Sequence, residues 1–464
     1  MSLFGVVLAA GKGTRMKSSQ CKVLHPLAGK PMLLYVLEAL AELKAEEVVT
    51  VVGHGAEEVM DRVGDRTKYV RQTEQLGTAH AVLQTAPLLR GRTGTTLVLY
   101  GDTPLLSAQT LQKVREYHWA TRATVTVLTA VHPNPTGYGR ILRDSKGKFF
   151  GVVEEKDATP EQREISEVNT GIYFFDNEAL FRTLPKVNNN NRQREFYLPD
   201  AVGILLREGA SIATFSLPDV EECLGINDRV ALAEAEGIMQ QRICRLHMLQ
   251  GVTVVHPANT YIADGVVIGA DTVIHPGTVL RGRTVIGQGC ELGPHADLTD
   301  ALIGDRVTIR HSVLNDVRVE DDVTIGPFAH LRPGTAVSRQ VKIGDFVELK
   351  NSLIGRGSKI PHLSYVGDAD VGEGVNIGCG VVTVNYDGFR KHRTKLGDRS
   401  FVGCNANLVA PVEVGSDAYI AAGSTVNRDV PPGALAIART RQENKEGYVD
   451  KLRSRMKGTP PLGN

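Results

Sequence analysis

A glycine turn near the N-terminus has the residue types that bind phosphate. Gly11 and Gly13 follow an apolar run, and Lys12, Arg15 and Lys22 add positive charge around them. Glycines let backbone N–H groups come close to a phosphate, and the cations offset its charge. The turn matches neither the GxxxxGK(S/T) loop nor the GxGxxG turn. The residue types alone therefore leave an ordinary strand-to-helix turn as the commoner interpretation.

A carboxylate stands where α/β sheets bind ligands. Asp102 follows the apolar run Thr95–Leu99, which we predict to be a strand. Parallel α/β sheets bind ligands at the carboxyl ends of their strands, which makes Asp102 a candidate for binding. Taken alone, an aspartate at such a place is more often a cap or a turn residue.

The elements that must hold these residues alternate between strand and helix, which predicts an α/β domain with a mainly parallel sheet. Residues 227–250 have helical spacing and few breakers, and we predict a linking helix there. The predicted strands are Phe4–Ala10, Glu47–Val52, Thr95–Leu99 and Thr124–Leu128, and the clearest helices are Met32–Leu43 and Thr110–His118.

Composition limits the classes of function. The 464 residues exceed one ordinary domain of about 100–200 residues. The chain has 53 Lys and Arg against 52 Asp and Glu, a net charge of +1, which argues against nucleic acid or an anionic membrane as the main partner. Glycine is in excess, with 48 residues, and it concentrates after residue 250.

From residue 251 apolar residues recur every six positions, as at Ile262, Ile268 and Ile274. The period returns at Ile325 and at Leu396, and many of these apolar residues are followed directly by glycine. A six-residue period is typical of a parallel β-helix, in which three hexads make one triangular coil. Small residues suit its corners, and such solenoids have exposed faces that often associate, so we expect a trimer.

One interruption of the period predicts a loop. Thirteen residues separate Thr383 from Leu396, and the extra segment Val384–Lys395 must leave the coil. A polar, basic loop on a rigid scaffold is a good place for a ligand.

The cysteines and the N-terminus point to a cytoplasmic protein. The six cysteines form no CxxC pair, which favours reduced thiols without a zinc site. The first apolar run is short and enters a glycine turn, unlike a signal peptide. No apolar run approaches the ~20 residues of a membrane helix, so we expect no membrane partner.

Whole segments are much more specific than single residues. LAAGKGTRM at 8–16 is followed in order by QLGTA, YGD, GYGR, VEEKD, VNTG and GIN, and later by LRPG, FVELK, HLSYVGD, VNIG and NYDG. Over nearly its whole length the chain resembles the bacterial bifunctional N-acetylglucosamine-1-phosphate uridyltransferases/glucosamine-1-phosphate acetyltransferases. The resemblance implies a Rossmann-like nucleotidyltransferase domain (1–226), a linker helix (227–250), a left-handed parallel β-helix acetyltransferase domain (251–437) and a C-terminal tail (438–464).

The resemblance also implies two reactions of UDP-N-acetylglucosamine synthesis. Acetyl-CoA first acetylates glucosamine 1-phosphate. UTP then gives its uridylyl group to N-acetylglucosamine 1-phosphate, and pyrophosphate leaves. In the first domain Mg²⁺ is expected between Asp102 and Asn227, with Arg15 and Lys22 as charge stabilisers. The expected UDP-sugar contacts are Leu8, Ala9, Ala10, Gly11, Lys22, Gln72, Gly77, Thr78, Tyr100, Gly101, Asp102, Gly139, Glu154, Asn169 and Asn227.

In the second domain the resemblance implies that His362 is the general base, because the attacking amine must be neutral. Glu348 is expected to orient this base or to bind the amine. Arg332, Lys350, Tyr365 and Asn376 are expected to hold the sugar phosphate. The expected acetyl-CoA contacts, in a site between subunits, are Cys379, Asn385, Tyr386, Lys391, Cys404, Ala422 and Arg439.

The chain departs from the family at two cysteines. Cys379 and Cys404 replace Ala and Ser of better-known members, and a thiol at 404 is a weaker donor than a hydroxyl. Two alternatives stay open at this stage: a sugar-nucleotide pyrophosphorylase with a non-catalytic β-helix, and a catalytically silent scaffold. The first alternative is disfavoured by a set of residues that a structural helix has no need to carry, namely Arg332, Lys350, His362, Tyr365 and Asn376 with the NYDG loop. The second is disfavoured by the joint presence of Arg15, Lys22, Asp102 and Asn227.

Overall fold

The computed structural model describes residues 1–457, which form two compact units. The first unit comprises Met1–Leu246 with Ile262–Asp264, and the second comprises His247–Tyr261 with the chain from Gly265 onward. None of the helices in the described part of the chain is long and apolar enough to cross a membrane. All six cysteines are free thiols.

A mixed sheet forms the core of the first unit, in the strand order β11-β7-β10-β6-β1-β4-β5. A short arm of β8 and β9 joins it through β10, and β2 and β3 form a separate hairpin. The strands are β1 Leu3–Ala9, β2 Pro26–Leu27, β3 Lys30–Pro31, β4 Glu47–Val52, β5 Lys68–Arg71, β6 Thr95–Tyr100, β7 Val125–Val131, β8 Gly139–Arg143, β9 Phe149–Val153, β10 Glu167–Asp176 and β11 Ile212–Ser216.

The predicted parallel pairings are present between β1, β4, β5 and β6 and between β7 and β11. Strand β10 was not predicted, and it runs antiparallel to β6, β7 and β8. All seven residues of β1 are buried, because the central strands of such a sheet are covered on both faces.

Helices and single turns connect these strands. The α-helices are α1 Met32–Glu42, α2 Ala56–Val63, α3 Thr78–Leu83, α4 Ala86–Leu89, α5 Ala108–Thr121, α6 Pro160–Arg163, α7 Asn177–Thr183, α8 Leu198–Arg207, α9 Arg229–Leu249 and α10 Tyr448–Lys457. The 3₁₀ turns are Thr14–Met16, Lys22–Leu24, Gly64–Arg66, Leu184–Lys186, Val220–Cys223 and Pro257–Asn259. Helix α9 lies within the predicted linker, and the two units divide inside its last turn.

Three parallel sheets form the second unit, a left-handed parallel β-helix, and we call them faces 1, 2 and 3. Face 1 contains Thr253–Val254, Val273–Ile274, Glu291–Leu292, Thr308–Ile309, Thr324–Ile325, Lys342–Asp345, Lys359–His362, Asn376–Ile377, Phe401–Val402, Tyr419–Ile420 and Leu435–Ala436. Face 2 includes Val279–Arg281, Asp297–Thr299, Val313–Asn315, His330–Leu331, Glu348–Lys350, Tyr365–Gly367, Val382–Val384, Asn407–Val409 and Thr425–Val426. Face 3 contains Val267–Ile268, Val285–Ile286, Leu302–Ile303, Val317–Val319, Thr335–Val337, Leu353–Ile354, Ala369–Val371, Thr394–Leu396 and Val412–Val414. A two-residue strand, Tyr261–Ile262, lies in sequence where the units divide.

The apolar residue of each hexad points into this β-helix, as predicted. Ile325 is paired in register with Ile343, and Leu331 with Leu349, and all four are buried. Each pair joins the same position of two successive coils, so equivalent apolar residues of neighbouring coils stack on one another.

The glycine that follows many of these apolar residues allows neighbouring coils to approach closely. A Cβ on Gly269 would lie 2.6 Å from the carbonyl carbon of Gly287, and one on Gly403 would lie 2.6 Å from the backbone nitrogen of Ala422. A side chain at either glycine would therefore push the next coil away.

The predicted loop is present with narrower limits. Val384 ends a face 2 strand, and Thr394 and Lys395 already pair with Ala369 and Asp370 on face 3. Residues 385–393 leave the coil, and the backbone N–H of His392 donates to the carbonyl of Asn385 at 2.9 Å to close the loop.

Candidate active sites

A cavity of about 420 Å³ opens in the first unit at the carboxyl ends of β1 and β6. Most of the predicted UDP-sugar contacts line it together. They are Leu8, Ala9, Ala10, Gly11, Lys22, Gln72, Gly77, Thr78, Tyr100, Asp102, Gly139, Glu154, Asn169 and Asn227.

Three of these residues meet at one point. The Lys22 Nζ donates to the carboxylate of Asp102 and lies 3.1 Å from the Asn227 Oδ1. The carboxylate and the amide oxygen thus face the same positive charge. Hard oxygen donors of this kind are those that Mg²⁺ binds together with substrate phosphates, so the pair fits a divalent cation.

The backbone explains how residues so far apart in sequence meet. Asp102 lies just past β6, and its carbonyl accepts from the backbone N–H of Ile226 at 2.9 Å. That bond holds the segment before α9 against the edge of the sheet, which places Asn227 beside Asp102. Lys22 reaches the same point from the 3₁₀ turn Lys22–Leu24.

A second wall of the cavity comes from the arm of β8, β9 and β10. Gly139 begins β8 and pairs with Asn169 on β10, while Glu154 directly follows β9. The Asn169 side chain is buried and exchanges hydrogen bonds with the Tyr173 hydroxyl at 2.7 and 2.9 Å. Three of the predicted UDP-sugar contacts are therefore side by side at the end of one small sheet.

Among the acidic residues of this wall, Glu154 has the most strongly shifted pKa. Burial, reinforced by the negative charges of Asp200, Asp157 and Glu195, raises the pKa of Glu154 to about 7. Burial disfavours the charged carboxylate and like charges add to that effect, so this carboxyl changes its protonation state near neutral pH.

Gly77 and Thr78 shape another wall of the cavity. The Thr78 hydroxyl accepts from the backbone N–H of Leu198 at 2.9 Å, and Gln72 donates from Nε2 to the Gly77 carbonyl at 3.1 Å. Gly77 has φ +115°, and a Cβ there would lie 2.6 Å from the Phe196 carbonyl oxygen. Only glycine fits at this position.

Two predicted residues do not line the cavity. Gly101 packs inside, where a Cβ would come within 3.1 Å of Leu33 and Val23. Arg15 is exposed in the 3₁₀ turn Thr14–Met16. Conversely, Gln75 and Glu195 line the cavity and were not predicted; Gln75 stands within the QLGTA segment, which could have indicated it.

In the second unit the predicted base has an acidic partner. The His362 Nδ1 lies 2.6 Å from the Asp345 Oδ1, and the two residues are paired in register on face 1. The hydrogen bond from His362 lowers the pKa of Asp345, which therefore carries its negative charge at neutral pH. Asp345, rather than Glu348, contacts the histidine; its place one coil earlier was the available signal.

Cationic side chains gather on the neighbouring face 2. Arg332 binds Glu348 at 2.8 Å, and Lys350 binds Asp368 at 3.2 Å. Lys391, from the loop 385–393, lies against Lys350, and that contact lowers the pKa of Lys391. Such a cluster of positive groups around few carboxylates is suited to a phosphate.

Three of the predicted acetyl-CoA residues form a column above His362. Lys359 is paired in register with Asn376, which places Cys379 in line with His362, and Asn405 N donates to Cys379 O at 2.7 Å. A further bond runs from Gly423 N to Cys404 O at 2.8 Å. Cys379, Cys404 and Ala422 therefore occupy the turn position of His362 in successive coils, and a Cβ on Gly423 would lie 3.7 Å from the Arg439 Cδ.

The predicted acetyl-CoA residues at the start of the loop differ in their surroundings. Asn385 donates from Nδ2 to Asp368 at 2.5 Å and to the Tyr365 hydroxyl at 3.3 Å, so it joins the cationic cluster. Tyr386 is exposed and donates to the Gly388 carbonyl at 2.7 Å.

Asn376 does not lie beside His362 in this chain. It is paired with Lys359, the first residue of the face 1 strand that His362 ends. Three residues of extended chain separate those two positions, about 10 Å at 3.3 Å per residue.

Two family models match parts of the chain. The MobA-like NTP transferase domain matches residues 5–158, and the bacterial transferase hexapeptide (six repeats) matches residues 393–428. The first match contains the glycine turn and Asp102, and the second lies in the coils above His362.

Several bacterial proteins are similar to the chain over almost its whole length. A protein of Geobacillus sp. (strain WCH70) named bifunctional protein GlmU is 57% identical over 449 residues, 97% of this chain and 98% of that protein. Proteins of the same name from Brevibacillus brevis and Listeria welshimeri are 55% and 53% identical, each with 97% of this chain and 98% of the relative aligned.

Proposed function

We propose an assignment of residues to two reactions for this chain, which belongs to the family of bifunctional GlmU proteins. The chain is a uridyltransferase and an acetyltransferase of UDP-N-acetylglucosamine synthesis. Uridylyl transfer is assigned to residues 1–226 and acetyl transfer to residues 251–437, with 227–250 as linker and 438–464 as tail.

Uridylyl transfer rests on charge neutralisation and positioning. An oxygen of the sugar phosphate attacks the α-phosphorus of UTP, and pyrophosphate leaves, so no protein nucleophile is needed. Lys22 stabilises the negative charge that develops on the phosphates. Arg15 is assigned the same role, since the turn that carries it follows the phosphate-binding glycines.

The divalent metal is proposed to be Mg²⁺, held by the Asp102 carboxylate and the Asn227 Oδ1. When bound it neutralises charge on the phosphates of the substrates. No group of three or more His, Cys, Asp and Glu side chains assembles a further site within residues 1–457. A site with two protein oxygens, completed by substrate phosphates, is the arrangement that Mg²⁺ favours.

The two walls of the cavity are assigned to the two substrates. Residues Leu8–Gly11 with Gln72, Gly77, Thr78 and Tyr100 hold the uridine nucleotide. Gly139, Glu154 and Asn169 hold the sugar, because they share one edge of the β8, β9, β10 arm.

Acetyl transfer is assigned to His362 as general base. The amine of glucosamine 1-phosphate gives a proton to the imidazole as its nitrogen attacks the acetyl carbonyl carbon, and CoA leaves as the thiol. Asp345 accepts the Nδ1–H, which leaves Nε2 free to take the proton. This contact of 2.6 Å is the observation that carries the assignment, together with Arg332 and Lys350 for the sugar phosphate.

The column Cys379, Cys404 and Ala422 is assigned to acetyl-CoA, with Asn385, Tyr386, Lys391 and Arg439. Coils are about 4.8 Å apart, so the column rises roughly 14 Å from His362 to Ala422. The extended thioester arm of acetyl-CoA can lie along this column, with its acetyl group at the lower end beside His362. Cys404 then offers a thiol where a hydroxyl would be the stronger donor.

The proposed assembly is a homotrimer whose acetyl-transfer sites lie between subunits. One corner carries the rings of His295, His311, Phe328 and Phe346 in a stack with centroids 5.4–5.6 Å apart. Phe328 and Phe346 are 54% and 56% exposed, directly beside Asp345. A neighbouring subunit at this corner would cover the rings and bring its own Asn376 to the site.

Mass spectrometry of the products tests the assignment. The protein is incubated with glucosamine 1-phosphate, acetyl-CoA, UTP and Mg²⁺, and UDP-N-acetylglucosamine is expected. UDP-glucosamine without acetylated product would instead favour a pyrophosphorylase with a silent β-helix. Native mass spectrometry of wild type and Phe328→Asp tests the trimer, because the variant is expected to dissociate and to lose acetyl transfer alone. A monomer that still acetylates would contradict it.

A further inference from the structure

Asp368 is a buried carboxylate at the centre of the acetyl-transfer site. It is 5% exposed and occupies a left-handed turn position, φ +49°, between faces 2 and 3. Its oxygens accept from Asn351 Nδ2 at 2.6 Å, from Asn385 Nδ2 at 2.5 Å and from Lys350 Nζ at 3.2 Å. Neither the phosphate nor the acetyl-CoA assignment above includes this residue.

The backbone of Asp368 reinforces these contacts. Its N–H donates to the Lys350 carbonyl at 2.9 Å, and its carbonyl accepts from the N–H of Thr394 at 3.1 Å. Thr394 is the residue at which the chain returns from the loop, while Asn385 is the residue at which the loop begins. Asp368 therefore holds both ends of the loop 385–393 as well as the lysine.

The negative charge of Asp368 has a specific task in this cluster. Burial alone would favour the neutral acid, but the hydrogen bonds from Asn351 and Asn385 and the ammonium of Lys350 outweigh it, so the pKa of Asp368 is lowered. The ammonium group of Lys391 places a second positive charge next to Lys350. Without the carboxylate, Lys350 would be repelled from the place it now occupies.

We propose that Asp368 is a positioning residue that couples the two substrates of acetyl transfer, setting Lys350 for the sugar phosphate and Asn385 with its loop for acetyl-CoA. This inference rests on the proposed function. It makes one buried side chain responsible for the affinity of two ligands that it does not contact itself.

The variant Asp368→Asn keeps the shape of the side chain and removes its charge. We expect KM for glucosamine 1-phosphate and KM for acetyl-CoA each to rise about tenfold, since charged hydrogen bonds contribute more than neutral ones. Uridylyl transfer should stay unchanged. Partial unfolding would instead lower kcat with both KM values unchanged, and that result would overturn the proposal.

The double variant Lys350→Ala with Asp368→Asn tests the route of the effect. In the Lys350→Ala background, Asp368→Asn should raise KM for acetyl-CoA but no longer that for the sugar phosphate. An equal further rise in the sugar phosphate KM would show that Asp368 does not act through Lys350. Asp316→Asn is the matched control, an exposed aspartate at the same corner three coils earlier, and both KM values should be unaffected.

A second variant leaves Asp368 in place. Asn351→Asp, at an exposed position, replaces a donor by a carboxylate that repels Asp368, and both KM values should rise several-fold. Unchanged KM values in this variant would contradict the proposal even if Asp368→Asn fails to fold. A wild-type protein that acetylates nothing would refute the proposed function itself, which is a different outcome.

Discussion

Lys22 forms an ion pair with Asp102, the carboxylate to which we assign the metal. Asp102→Ala is therefore expected to remove both a metal ligand and the partner that holds the lysine. Uridylyl transfer should fall by at least about 10²–10³-fold, the scale of losing one charge-stabilising group. Acetyl transfer should be retained, because its residues lie in the other compact unit. Separate assays of the two reactions check this, and a loss of both activities in a folded protein would contradict the assignment of two sites.

His362→Ala should give the opposite result. Acetyl transfer is expected to fall about 10²–10⁴-fold, the usual contribution of a general base, with uridylyl transfer intact. His256→Ala, at an exposed histidine of the same unit, serves as the control. If the variant acetylates at the wild-type rate, His362 is not the general base.

Asp345→Asn tests the contact on the other side of the imidazole. The amide fixes the ring less well than the carboxylate, and acetyl transfer should fall about tenfold or more. In the His362→Ala background the same change should have no further effect, because the two residues act as one unit. Additive losses in the double variant would mean that Asp345 acts independently of His362.

Glu154→Gln should change how stability depends on pH. The pKa of Glu154 is raised from 4.5 to about 7 in the folded protein, so ionising this group opposes folding as the pH rises through that range. The variant cannot ionise. Its Tm relative to wild type should therefore be higher at pH 8 than at pH 5. Thermal unfolding at several pH values measures this, with the exposed Glu164→Gln as control; a difference in Tm that is constant with pH would contradict it.

Gly11→Ala and Gly77→Ala should separate binding from stability. Gly11 lines the cavity and a Cβ there meets open space, so the variant should keep its Tm while KM for UTP rises. Gly77 has φ +115° and a Cβ would lie 2.6 Å from the Phe196 carbonyl, which should cost about 1–2 kcal/mol of stability. Gly151→Ala, in β9 with open space around its Cβ, should change neither property.

The hexad period predicted the second unit closely because each inward residue repeats at a fixed spacing. The role of the glycine beside it was only partly predicted. Between Gly269 and Gly415, thirteen glycines directly follow an inward apolar residue, and eleven of them have no positive φ. They are needed because the next coil lies against them, and not for the backbone freedom of a corner. A repeat in the sequence shows the period of the coils, whereas the distance between neighbouring coils is seen only in the folded β-helix.

The first unit was predicted less completely. The strand β10 is ten residues long, yet the alternation of strand and helix gave no sign that it runs antiparallel to its neighbours. Asp345 and Asp368 were missed for a related reason. Both act on residues one coil away, and only the register of the coils shows that Asp345 faces His362.

The residues assigned to acetyl transfer lie between Arg332 and Arg439, and the stacked rings of the proposed trimer interface begin at His295. The coils that precede His295 repeat the same geometry without adding a side chain to the site or to that interface. Evolution could delete or duplicate a whole coil in that earlier stretch and keep the 2.6 Å contact between Asp345 and His362. A coil gained or lost between Asp345 and Ala422 would instead separate the base from the contacts above it. Variation in the length of this β-helix among related proteins should therefore be confined to its N-terminal side.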